Sequence, residues 1–73
     1  MFYRLRYLRE EKNLSQSSLA AMLNMSQTGY SKYETGENDI PTAILLKLAE
    51  LYGTSTDYIL GLTDVRKSYP RKK

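Results

Sequence analysis

Residues 15–36, with the sequence SQSSLAAMLNMSQTGYSKYETG, decide the fold of this chain. Leu19 and Leu23 are separated by one helical turn, and so are Tyr30 and Tyr33. Residues at this spacing lie on one face of a helix. The stretch therefore predicts two short helices, each with one buried stripe and with a tight connection between them.

Two small features of the same stretch restrict how these helices pack. Ala20 stands where two crossing helices approach closely, and a larger side chain would push them apart. Asn24 stands where the chain must pass through a left-handed conformation, which asparagine tolerates better than most residues other than glycine. Together with the two stripes, they predict a helix-turn-helix, the unit that places its second helix in the major groove of DNA.

The composition excludes several classes of function. The chain has 73 residues, a length that allows one domain. It contains no cysteine and no histidine. Disulfides and thiolate metal sites are excluded, and the usual general base and the commonest metal ligand are missing. With no glycine-rich phosphate loop and no room for a deep pocket, we expect neither an enzyme nor a cofactor or metal site.

The sequence also contains no segment typical of export or membrane insertion. Residues 1–13, MFYRLRYLREEKN, carry charge throughout and lack the apolar region of a signal peptide. No apolar run approaches the roughly 20 residues that span a bilayer. We therefore expect a cytoplasmic protein without a membrane partner, and the regular core argues against a peptide that lies on a membrane surface.

The net charge of +3 is distributed unevenly along the chain. Residues 1–64 contain six basic and all eight acidic residues, a net charge of −2, whereas residues 65–73, VRKSYPRKK, contain five basic and no acidic residues, a net charge of +5. We predict a folded domain over residues 1–64 and a flexible basic tail over residues 65–73. Because the excess positive charge lies in the tail and not in the folded body, net charge alone does not indicate nucleic-acid binding. The tail either adds phosphate contacts or keeps the protein soluble.

Three further helices are predicted around the central pair. Residues 2–12 form an amphipathic pattern with leucines on one face and arginines on a solvated face. Thr42 is expected to cap a helix over residues 43–52, and Ser55 to cap a short helix that ends at Leu60. Five helices with short connections predict a compact all-α domain.

The motifs RLRYLREEKNLSQSSLAAML, SQTGYSKYETGENDIP and LLKLAELYGTSTDYILG, which cover roughly residues 3–61, resemble those of phage-repressor and Cro-type regulators, the XRE family. The resemblance implies an all-α, lambda-repressor-like domain of five helices. It also implies a transcriptional regulator, by default a repressor, that binds double-stranded operator DNA as a homodimer and blocks polymerase.

The resemblance further implies roles for individual side chains. The implied base-contacting residues are Gln27, Thr28, Ser31 and Lys32. The implied phosphate-contacting residues are Gln16, Ser26 and Tyr30, of which the tyrosine is expected to pack in the core with its hydroxyl at the surface. A glutamine amide matches the donor and acceptor pair of adenine, whereas Lys32 could meet either a guanine or a phosphate. Arg9 and Glu34 are expected to pair and to join the first helix to the end of the third.

The chain departs from the family pattern at two places. Gly29 and Tyr30, in the second helix of the motif, stand where relatives usually carry a hydroxyl residue and a β-branched aliphatic residue. The glycine costs about 1 kcal/mol relative to alanine in a helix. This glycine either permits close approach to the DNA backbone or is a neutral substitution that good packing tolerates. Glu37 and Asp39 stand where relatives often carry basic residues, and two carboxylates facing phosphate argue against tight binding.

The sequence also suggests how the protein associates. Tyr58, Ile59 and Leu62 exceed what a small core can bury, so we predict a dimer interface there. The alternative function is an antitoxin that binds a toxin partner, and an adjacent reading frame for a small basic toxin would favour it. The tyrosines are expected to pack at core edges rather than to stack on RNA.

Overall fold

The computed structural model describes residues 3–68, and over this range the chain forms five α-helices and no strand. The helices are α1 (Tyr3–Glu11), α2 (Gln16–Met22), α3 (Gln27–Thr35), α4 (Thr42–Tyr52) and α5 (Thr56–Ile59). The predicted all-α architecture is therefore confirmed, with α2 and α3 as the helix-turn-helix. Phe2, the predicted start of the first helix, lies outside the described residues.

Serine hydroxyls cap three of these helices. Ser15, Ser26 and Ser55 precede α2, α3 and α5, and each hydroxyl accepts a hydrogen bond of 3.0 Å from a backbone N–H three residues further on. Such caps satisfy an N–H that the helix itself leaves unpaired. The predicted cap at Thr42 is wrong, because Pro41 precedes α4 and offers no side-chain acceptor, so Thr42 is the first residue of the helix.

The turn between α2 and α3 forms as predicted. Asn24 has a φ of 58°, in the left-handed region, and Ala20 behind it is only 1% exposed. Gly36, with a φ of 82°, ends α3, and its N–H donates to the carbonyl of Tyr33. Asn24 thus forms the turn between α2 and α3, and Gly36 ends the second helix of the motif.

The core lies between α1, α2, α3 and α4 and is closed at one end by α5. Its fully buried side chains are Leu5, Leu8, Leu19, Tyr30, Leu48 and Ile59. Complete burial of an aliphatic side chain contributes about 1.5–3 kcal/mol. The placement of Ile59 in the dimer interface is wrong, because α5 packs on α1 and α4 and directs this side chain, 1% exposed, into the core.

Arg4 holds the segment that follows α5 against α1. Its Nη1 donates to the carbonyl of Tyr58 over 2.8 Å and to that of Thr63, and its Nη2 lies 2.6 Å from Oδ1 of Asp64. The guanidinium also stacks 4.2 Å above the ring centroid of Tyr58, a cation–π geometry. The predicted solvated arginine face is therefore wrong for Arg4, although Arg6 is exposed.

Arg66 attaches the chain after α5 to the end of α1 and to Thr54. The carbonyl of Arg66 accepts a hydrogen bond from the Thr54 hydroxyl, and its Nη1 donates to Oε2 of Glu11 over 3.1 Å. Contact with the domain thus extends to Arg66, two residues beyond the predicted boundary at residue 64. Residues 69–73 of the predicted tail lie outside the described residues. Within residues 3–68, no helix has the length and apolarity needed to cross a membrane.

Candidate nucleic-acid interface

An open depression joins the start of α2 to the outer face of α3. It is lined by Gln16, Gln27, Thr28, Ser31, Lys32, Thr35 and Glu37. All four residues predicted to contact bases lie there, together with one of those predicted to contact phosphate. The structure thus brings polar side chains from both helices of the motif onto one surface.

The exposed face of α3 begins with its first two residues. Gln27 and Thr28 are exposed, and Ser31 and Lys32 lie one turn further on and are half-buried. Thr35 continues the same face by another turn, and helical spacing alone would have found it. The arrangement is a row of amide, hydroxyl and ammonium groups along one helix.

The depression has little net charge. Lys32 contributes a basic group and Glu37 an acidic group, and Glu37 lines the same surface as the amides. Asp39, in the loop that follows, is exposed as well. The described residues contain no group of acidic side chains that could hold a metal ion. Recognition at this surface would therefore depend on hydrogen bonds more than on charge.

Ser26 lies at the N-terminus of α3 and is exposed. Its Oγ accepts the hydrogen bond from Gly29 N over 3.0 Å that caps the helix. A hydroxyl has one proton to donate in addition to its acceptor sites. The capping role therefore leaves Ser26 a donor that could reach a phosphate.

Gly29 has a packing role that the sequence did not reveal. A Cβ at this position would lie 3.1 Å from the Ser26 Oγ and 3.3 Å from the Cε of Met25. Both distances are shorter than ordinary van der Waals contact. A side chain at this position would therefore require the Ser26 hydroxyl or the Met25 methyl group to move by a few tenths of an ångström.

The predicted phosphate contact of Tyr30 is wrong. Its side chain is 0% exposed, and its backbone N–H donates to the carbonyl of Ser26 over 3.0 Å. The ring packs edge-on against Tyr33 with the centroids 6.2 Å apart. The hydroxyl is buried without a well-formed hydrogen bond to any atom of residues 3–68, and burial together with the nearby Glu34 carboxylate raises the pKa of this phenol.

The predicted Arg9–Glu34 pair forms beneath the depression. Arg9 Nε lies 2.7 Å from Glu34 Oε2, and Arg9 Nη2 lies 3.2 Å from Glu34 Oε1. The remaining Nη1 donates to the carbonyl of Leu14 over 2.8 Å. Both side chains are almost completely buried. Their bonds join α1 to the chain just before α2 and to the end of α3.

Gln16 joins this ion pair to the surface. Its Nε2 donates to Glu34 Oε1 over 3.1 Å, a contact that no sequence signal indicated. Burial by itself would raise the pKa of Glu34, but hydrogen bonds from Arg9 and Gln16 and the nearby phenol of Tyr30 hold it below its ordinary value. The carboxylate is therefore ionised at neutral pH and acts as an acceptor.

Fold and site together define a small helix-turn-helix domain in which the outer face of α3 is polar. A family model described as helix-turn-helix matches residues 5–59, more than half of the chain. The chain belongs to this helix-turn-helix family, and the predicted XRE-type resemblance is confirmed.

The chain is also similar to curated proteins that are named as helix-turn-helix transcriptional regulators. The chain is 41% identical over 64 residues to the HTH-type transcriptional regulator ImmR of Bacillus subtilis (strain 168), covering 88% of this chain and 50% of that protein. It is 39% identical over 57 residues to YonR of the same organism, an SPbeta prophage-derived HTH-type transcriptional regulator, covering 78% of this chain and 53% of that protein. The chain thus spans about half the length of these relatives.

Proposed function

We propose that this protein is a sequence-specific, double-stranded DNA-binding transcriptional regulator. In this proposal α3 enters the major groove of an operator, and the bound protein represses transcription by excluding polymerase. The observation that carries the proposal is the single depression in which the polar face of α3 meets the start of α2. The names of the relatives, all transcriptional regulators, support the same class of function.

The side chains along α3 suit base edges. A glutamine amide can donate to and accept from adenine at N6 and N7, so Gln27 is the proposed adenine reader. Thr28 offers a methyl group that can contact the methyl group of thymine, and Lys32 can donate to guanine O6 and N7 or to a phosphate. The major groove is about 12 Å wide, which admits one α-helix.

Two donors flank this row and are proposed to bind phosphates. Gln16 keeps a second Nε2 proton after its bond to Glu34, and Ser26 keeps its hydroxyl proton after capping α3. Contacts of this kind set the orientation of a protein on the duplex but do not read its sequence. They would hold α3 in register with the bases.

We further propose that the protein binds as a homodimer, because one recognition helix reads only a few base pairs. Leu62 is 72% exposed and Val65 is 64% exposed, on the segment that Arg4 and Arg66 hold against α1. Tyr58 is half-buried beside them, under Arg4. Leu62, Val65 and the half-buried Tyr58 therefore form the proposed interface.

Selection from a randomised duplex library tests the proposal. The wild type is compared with a Gln27→Ala, Thr28→Ala double variant and with Lys47→Ala, a control on the exposed side of α4. The wild type and the control should enrich the same two-fold symmetric site, and the double variant should lose or change it. If the wild type enriches no sequence, the proposal is wrong, and the search turns to a protein partner such as a toxin.

A further inference from the structure

We propose that Glu34 is a positioning residue for DNA binding, because it orients the side-chain amide of Gln16 toward a phosphate. This inference rests on the proposed DNA-binding function and adds a role for a residue that does not itself face the DNA. The carboxylate lies below the depression with its side chain 6% exposed, and it reaches the surface through Gln16.

The hydrogen bonds determine which end of the Gln16 amide points inward. An ionised carboxylate only accepts, so the group facing Glu34 Oε1 must be the NH₂ of Gln16. The two protons of a planar amide nitrogen diverge. One of them is committed to Glu34, and the other remains available to a phosphate at the depression, which Gln16 lines.

Arg9 makes this arrangement compatible with nearby DNA. Its guanidinium occupies Oε2 and shares Oε1 of Glu34, so the carboxylate carries no uncompensated charge that would repel a phosphate. Glu34 can therefore act as an acceptor for Gln16 without an electrostatic penalty at the interface. A buried group that holds a contacting side chain in place is a recognised way to sharpen a binding site.

The energetic consequence is preorganisation. Glutamine has a long side chain, and fixing it on binding costs conformational entropy. Glu34 holds the amide before DNA arrives, so less of this cost falls on the binding step. The hydrogen bond from Arg9 Nη1 to the Leu14 carbonyl holds the chain just before α2, which supports the same geometry.

The first test uses the free protein. Side-chain NMR should show one Gln16 Nε2 proton protected from exchange with solvent in the wild type. In Glu34→Gln, Arg9 should donate to the oxygen of the new side-chain amide. The NH₂ group of that amide then faces the NH₂ group of Gln16, and two donors cannot form a hydrogen bond. The protection should disappear in this variant, and equal exchange of both protons in the wild type would overturn the positioning role.

The second test is a double-mutant cycle on DNA affinity. Gln16→Met removes the amide but leaves the Arg9–Glu34 pair, and it should weaken binding by about three- to ten-fold, the range for one net hydrogen bond. The preferred sequence and the salt dependence should not change, because no charge is removed. Glu34→Gln changes the charge beneath the interface in both backgrounds, so the test is the difference between them. Glu34→Gln should weaken binding about three- to ten-fold more in the wild type than in the Gln16→Met background, whereas equal effects in the two backgrounds would overturn the proposal.

Two controls separate folding and function from positioning. Melting temperatures identify variants that fail to fold. In that case Glu34→Asp replaces Glu34→Gln, because it keeps the charge but is too short to bind Arg9 and Gln16 together. If the wild type binds no duplex, the DNA-binding function fails and the positioning role fails with it. DNA binding with both Gln16 protons unprotected would overturn the positioning role alone.

Discussion

Arg9 on α1 and Glu34 near the end of α3 form a buried ion pair, with Nε and Oε2 separated by 2.7 Å. Their side chains are 11% and 6% exposed, so the attraction is only weakly screened by water. The pair spans 25 positions of sequence and connects the first helix to the proposed recognition helix. The pair therefore both stabilises the fold and holds the helix that carries the proposed DNA-reading face.

Breaking this pair should be more costly than replacing it. Arg9→Met leaves a buried carboxylate without its partner, and the free energy of unfolding should fall by roughly 3–5 kcal/mol. The double variant Arg9→Met, Glu34→Leu removes both charges and should lose much less. Urea unfolding at neutral pH measures both changes. Arg6→Met, which breaks an exposed pair with Glu10, is the control and should cost less than about 1 kcal/mol. Equal losses in the single and double variants would contradict the expectation.

The same pair should make the protein sensitive to acid. The folded state lowers the pKa of Glu34, so the ionised group contributes stability above the unfolded-state pKa of about 4.3. This contribution is lost as the pH falls through the lower folded-state pKa, because the unfolded chain then binds more protons. The free energy of unfolding of the wild type, measured between pH 7 and pH 2, should therefore fall more steeply below about pH 4.3 than that of the Arg9→Met, Glu34→Leu variant. Parallel curves would show that Glu34 does not contribute.

Tyr52 should respond to alkali in the opposite sense. Its hydroxyl is buried without a hydrogen-bond partner among residues 3–68, and burial raises its pKa to about 12. The neutral phenol contributes stability below the unfolded-state pKa of about 10, and this is lost as the pH rises through the folded-state value. Tyr52→Phe should be neutral or stabilising by up to about 1 kcal/mol at pH 7, since it removes an unsatisfied group. The free energy of unfolding of this variant should also fall less between pH 10 and pH 12 than that of the wild type. Chemical unfolding at a series of pH values over this range measures the difference.

The local signals of this chain were sufficient to predict its architecture. Ser55 and Asn24 act on backbone atoms a few positions away, so the cap and the turn that they form can be predicted from the order of residues. The Gln16–Glu34 bond spans 18 positions and the Arg4–Asp64 pair spans 60, and such contacts depend on how whole helices pack. Ile59 shows the same limit, because a helix as short as α5 is too brief for periodicity to identify its buried face.

The part of the basic tail beyond Arg66 can be tested for DNA contact by truncation. Truncation after Arg66 deletes Lys67, Arg71, Lys72 and Lys73 but keeps the bonds of Arg66 with Glu11 and Thr54. If the tail lies on phosphate, the slope of log affinity against log salt should become shallower by about 0.9 for each phosphate that the truncated chain no longer neutralises, with the preferred sequence unchanged. Salt titrations of the full chain and the truncated chain on one duplex measure this. An unchanged slope would exclude the tail from the DNA interface and favour its role in solubility.

The proposed dimer interface can be tested because its exposed residues are not part of the core. Leu62→Lys places a charge on a side chain that is 72% exposed, so the monomer should keep its fold and melting temperature. If Leu62 lies at a two-fold axis, like charges from the two copies meet and association should weaken by at least ten-fold in sedimentation experiments. Lys47→Leu, on α4, is the control for a change in surface polarity. The Leu62→Lys variant should also bind a two-fold symmetric duplex with reduced cooperativity while retaining its affinity for a half-site. A wild-type protein that sediments as a monomer and binds single half-sites independently would exclude this interface.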